Sequence, residues 1–135
     1  MKQKIFKDKY HIFEIEFAKD ELNSKSVDEI INQLKEKIDN HPVIAYIATF
    51  DQLAQTKRVN GTIREDIIDA KNIIFCFGKE IPTPEVLAVR PRAIGVVELT
   101  DSFVVNFLEA PNEQANVIME DMIKDLKPTK NLMGY

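Results

Sequence analysis

The sequence holds a single cysteine, no tryptophan and only four glycines in 135 residues. The lone Cys76 excludes an intrachain disulfide and fits a reducing compartment, so a cytoplasmic location is expected. No long hydrophobic run is present. The apolar stretch Val43–Phe50 falls far short of the roughly 20 residues that a membrane-spanning helix needs. The basic start Met1–Lys9 is not followed by an apolar segment, so neither export nor membrane association is expected. Charge of one sign is not in large excess: 18 Lys and Arg stand against 22 Asp and Glu, a net charge of -4. That balance argues against a general nucleic-acid binder, which carries a basic face. Repeats, low-complexity tracts and Gly/Ser linkers are missing too, so one domain over residues 1–127 with a mobile tail at 128–135 is expected.

The patterning that remains is that of an α+β domain. His11, Phe13, Ile15 and Phe17 alternate with Ile12, Glu14 and Glu16, the period of a half-buried strand. Ser26 with Glu29 three residues on has capping-box spacing, and Val27, Ile30, Ile31, Leu34 and Ile38 form one helical stripe that ends before Pro42. The run Val43–Phe50 reads as an interior strand covered on both faces, and Asp51 as the cap of a short helix to about Arg58. Residues 62–71 fit either a helical turn or a loop. Ile73–Phe77 is a further strand, Pro82 and Pro84 stiffen the loop after it, and Val86–Val89 is a short helical or extended piece. Ile94–Leu99 and Phe103–Leu108 form a hairpin around Thr100-Asp101-Ser102. A last helix is capped by Asn112, carries Ala115, Ile118, Met119, Met122, Ile123 and Leu126, and closes at Pro128. This order predicts a two-layer sandwich, a mainly antiparallel sheet with helices packed on one face. The expected core comprises Phe13, Ile15, Phe17, Ile30, Leu34, Ile47, Phe75, Phe77, Val97, Val105, Phe107, Met119 and Ile123.

Several turn residues support a family likeness. Phe50-Asp51 with Leu53-Ala54, then Phe75-Cys76-Phe77-Gly78, Pro82-Thr83-Pro84, Arg90-Pro91 and Glu109-Ala110-Pro111 follow one another along residues 10–126. In these steps the chain resembles the bacterial domain of unknown function three-zero-two. The resemblance implies a small α+β sandwich similar to half of a TATA-binding protein, and it implies no activity.

Most polar groups have a plain structural reading. His11 and His41 have no Cys or carboxylate at ligand spacing, so no metal and no cofactor is expected. Cys76 lies between two phenylalanines, the setting of a buried, unreactive thiol. Gly78-Lys79 lacks both the upstream glycine and the following hydroxyl of a phosphate loop. Glu14 and Glu16 share a strand face, and Glu65, Asp66 and Asp69 a turn, as solvated acids do. One concentration of cations stands apart. Lys79, Arg90 and Arg92 lie near a proline-stiffened loop, and arginine grips a carboxylate or phosphate with a planar fork. They are the expected ligand-binding residues for a small anion. The competing expectation is that each pairs with a surface acid such as Glu80, Glu85 or Glu98. Taken together, the sequence predicts a non-catalytic ligand- or partner-binding module that self-associates as a homo-oligomer. The alternative is an enzyme whose active site assembles only in the fold and acts on a small anionic substrate.

Overall fold

The computed structural model describes residues 1–128. Residues 129–135, most of the expected tail, lie outside the described residues. In chain order the elements are β1 (Lys2–Phe6), β2 (Tyr10–Ala18), α1 (Val27–Asp39), β3 (Ile44–Asp51), α2 (Gln52–Arg58), β4 (Asp69–Phe77), β5 (Arg92–Glu98), β6 (Ser102–Leu108) and α3 (Glu113–Lys124). A 3-10 turn over Pro84–Val89 precedes β5. The six strands form one sheet in the order β1-β2-β6-β5-β4-β3, and every pairing is antiparallel. The expected α+β sandwich is the observed architecture.

Local chemistry sets the element ends. Ser26 Oγ accepts the Glu29 N–H at 3.1 Å, Asp51 Oδ1 the Ala54 N–H at 2.9 Å, and Asn112 Oδ1 the Gln114 N–H at 2.8 Å. Each satisfies a donor that the first helical turn leaves without an intrahelical partner. The sheet alternates about its pleat. One face presents Phe13, Phe17, Ile73, Phe75, Ile94, Val96, Phe103 and Val105, all buried. Against them lie Val27, Ile30, Leu34 and Ile38 of α1 and Met119 and Ile123 of α3, in a single core cluster. Phe13 and Phe107 stack at 5.0 Å within it. Lys71 of β4 bonds Asp28 in the first turn of α1, which ties helix to sheet.

The second face is not covered by a helix pair. A polar row crosses it: Gln52 donates to Asn72 at 2.8 Å, Asn72 and Asn106 flank Gly95 in register, Asn106 donates to Glu14 at 3.2 Å, and Lys4 pairs with Glu14 at 2.6 Å. A Cβ on Gly95 would stand 2.8 Å from Asn106 Oδ1, so glycine is what lets the two asparagines face each other.

Four readings of the sequence need correction. The run Val43–Phe50 is not an interior strand. It supplies the edge strand β3, paired with β4 alone, and a register shift between Tyr46 and Ala48 leaves Ile47 51% exposed. Val97 is half-buried on the second face, and Val96 is the core residue. The cause is the hairpin: Glu98 pairs with Phe103 and Leu99 N–H donates to Ser102 O at 2.8 Å, so the pairing is shifted by one residue from the one that a Thr100-Asp101-Ser102 turn implies. Ile15 and Phe77 are only partly buried, though both pack on the core. Strand β1 was not foreseen, because all five of its residues are exposed and it shows no apolar face. Residues 62–67 contain no helix, and Ile68 N–H already joins the sheet by donating to Glu98 O at 2.8 Å.

Candidate functional site

The candidate site lies at one end of the core face, beside the end of β4 and the start of α3. Chain segments from both layers surround a cavity of about 430 Å³ there. Val43 immediately precedes β3, and Phe77 to Glu80 run from the last residue of β4 into the loop after it. Val86 and Val89 come from the 3-10 turn, Pro111 from the β6–α3 connection, and Ile118 from α3. The volume lies in the range typical of small-molecule sites, roughly 300–1,000 Å³.

Lys79, Arg90 and Arg92 all line this cavity. Their settings differ. Lys79 is exposed at the rim. Arg90 is partly buried, and its Nη1 donates to Glu80 O at 2.8 Å. Arg92 occupies a core-face position, in register with Phe75 on β4. Its stem therefore enters the layer between sheet and helices, where a charged residue is costly. Nη1 donates to Val89 O at 3.3 Å and Nη2 donates to Leu108 O. Nε is buried with no partner. Burial lowers the pKa of the guanidinium, and no acid offsets that loss. Among the described residues none of the three cations lies within ion-pair distance of a carboxylate. Of the acids named as competing partners, Glu98 pairs with Lys19 at 2.7 Å, and Glu80 meets Arg90 only through its backbone carbonyl.

The apolar half of the lining was not foreseen as such. Val43 and Ile118 belong to stripes that read as core, and nothing in a stripe shows which member lines a cavity. Asn116 was missed as well. It is buried, its Oδ1 accepts the Ala110 N–H at 2.7 Å, and its Nδ2 donates to Ala110 O at 2.9 Å. That pair of bonds fixes the connection that carries Pro111 and Asn112 to the cavity.

A family model matches residues 1–128 and carries the description family of unknown function (DUF6858). The chain belongs to this family of unknown function. The match supports an uncharacterised domain. It does not support membership of the domain of unknown function three-zero-two, whose likeness rested on element order and turn residues that small antiparallel α+β domains share. No curated protein and no solved structure matches the DUF6858 chain.

The other polar candidates have structural partners. Glu14 is held by Lys4 and Asn106, and Glu16 accepts the Ser102 hydroxyl at 2.5 Å. His41 Nδ1 accepts the Val43 N–H at 3.2 Å, while His11 is exposed beside a shallow second depression. Cys76 is half-buried on the second face of the sheet, away from the cavity lining. Among the described residues no helix is long and apolar enough to cross a membrane.

Proposed function

We propose that this protein is a non-catalytic binding module that takes a small organic anion into the cavity between β5 and α3. The observation that carries the proposal is Arg92, a half-buried guanidinium with an orphaned Nε and no acid partner. An unpaired charge in such a place is unfavourable, and an incoming anion relieves it. Lys79 and Arg90 stand at the rim, where they add attraction at long range. The alternative, an enzyme on a small anionic substrate, has less support. The described lining includes no histidine, cysteine, serine or threonine, and its one carboxylate is the exposed Glu80. Acid–base or nucleophilic chemistry needs at least two convergent groups of those kinds.

Calorimetric titration of the wild type and of Arg92→Met with a panel of small carboxylates and phosphates tests this. Saturable binding by the wild type, at least tenfold weaker in the variant, is expected. Absence of binding by every anion of the panel overturns the reading.

The proposal includes self-association and a cytoplasmic location. The first is supported by exposed Phe6, Tyr10 and Leu108 on the second sheet face, the second by the single free cysteine.

A further inference from the structure

The geometry points to a monocarboxylate with an unbranched or aromatic hydrocarbon tail as the ligand class of the cavity. The carboxylate would lie on the Arg92 fork and the tail along Phe77, Val86, Val89 and Ile118. The inference rests on the reading of the cavity as an anion site and narrows it.

Three observations exclude the other anion classes. Phosphate sites gather several donors, above all backbone N–H groups at a helix start or turn. Here the donors of the first turn of α3 and of Gly78 are spent. Asn112 Oδ1 takes the N–H groups of Gln114 and Ala115 at 2.8 and 3.4 Å, and Gly78 N–H goes to Val43 O at 3.2 Å. Second, a dianion or dicarboxylate needs a second deep cation. Arg90 is already turned to the Glu80 carbonyl, Lys79 is exposed, and Glu80 adds a negative charge beside them. Third, the lining around Arg92 is mostly apolar, with Phe77 on β4, Val86 and Val89 on the 3-10 turn, and Ala115 and Ile118 on α3 beside one polar residue, Gln114. Of the five N–H donors of Arg92, two are committed to Val89 O and Leu108 O, which leaves the orphaned Nε–H and a pair, one on each terminal nitrogen. A carboxylate has two oxygens in one plane and matches such a pair. At roughly 30 Å³ per non-hydrogen atom, the 430 Å³ cavity takes about 14 atoms, a carboxylate with about eleven further carbons.

The test is titration of the full chain with butyrate, hexanoate, octanoate and decanoate, and in parallel with inorganic phosphate, succinate and 1-octanol. Affinity should rise about twofold to fourfold per methylene. Octanoate should bind at least tenfold more tightly than 1-octanol, succinate or phosphate. Arg92→Met should lose the preference for octanoate over 1-octanol. Val86→Asp, at a half-buried position of the cavity lining, should lose the dependence on chain length, and it keeps the test valid if the Arg92 variant does not fold. Phosphate or succinate binding as tightly as octanoate overturns the ligand class and leaves the anion site standing. Equal binding of octanoate and 1-octanol by the wild type, or binding of none of the compounds, overturns both.

Discussion

Glu14 shows how a single side chain couples this sheet to pH. Burial works against its charge, yet hydrogen bonds from Lys4 and Asn106, and the positive charges of Lys4 and Lys2, outweigh it and hold the carboxyl below its usual 4.5. A carboxyl whose pKa is lowered by folding stabilises the native state above its unfolded value. That contribution fades as the pH falls through the lower, folded value. Glu14→Gln should therefore cost about 1 kcal/mol or less at neutral pH. The difference should shrink as the pH falls below 4.5. Urea denaturation of both proteins between neutral and acid pH checks this, and a pH-independent difference would show that the Lys4–Glu14 pair is not the cause. Arg92 is the opposite case. Its burial lowers the pKa of a cation with nothing to offset the loss, so it adds cost where Glu14 adds stability. A residue kept at a cost is where local rules give way to function.

The connection between β6 and α3 depends on Asn116, which replaces both partners of the Ala110 peptide with its own amide. Asn116→Ala would leave a buried N–H and a buried carbonyl unpaired, a cost of roughly 2–4 kcal/mol. The expected result is a clear fall in denaturation midpoint together with weaker ligand binding, because Pro111 and Asn112 lose their anchor. A midpoint within experimental error of wild type would mean that water replaces the amide. No sequence pattern announces this clamp, since a polar residue in the buried stripe of α3 reads as an interruption. The same limit explains what was and was not legible elsewhere. Caps at Ser26, Asp51 and Asn112 were visible because they depend on neighbours two or three residues away. The edge position of β3 and the exposure of Ile47 depend on which strand pairs beside it, and alternation cannot show that. Lys79, Arg90 and Arg92 were legible as a group because they cluster around prolines in one stretch of chain. The cavity that they line was not, because Val43 and Ile118 reach it from elements far off in sequence.

On the scale of the whole molecule the sheet has two unequal faces. One is closed by α1 and α3, while the other carries a polar row and, beside it, a group of apolar side chains brought together by register. Phe6 pairs with Tyr10 and Ile12 with Leu108, and three of the four are about half exposed, Phe6 52%, Tyr10 51% and Leu108 49%. A patch of this kind in a chain of net charge -4 is best covered by a copy of itself about a twofold axis, where the same residues meet. The long runs Val43–Phe50 and Ile73–Phe77 motivate the same expectation, but Ile73 and Phe75 are spent in the core, so the burden falls on this face. A stable interface takes roughly 800 Å² from each partner, more than four side chains supply. The contact should therefore continue along the face through Ala93 and Ile74 to Cys76, all half-buried in one copy. Sedimentation should show a dimer in the micromolar range, and Leu108→Asp should shift it to monomer with little loss of thermal stability, because Leu108 lies outside the core. Cys76 should react more slowly with a thiol reagent in the dimer than in the Leu108→Asp monomer. A wild type that sediments as a monomer across micromolar concentrations rules out the association. A dimer with an unchanged Cys76 rate would place the contact elsewhere, on the free edge of β1 or β3.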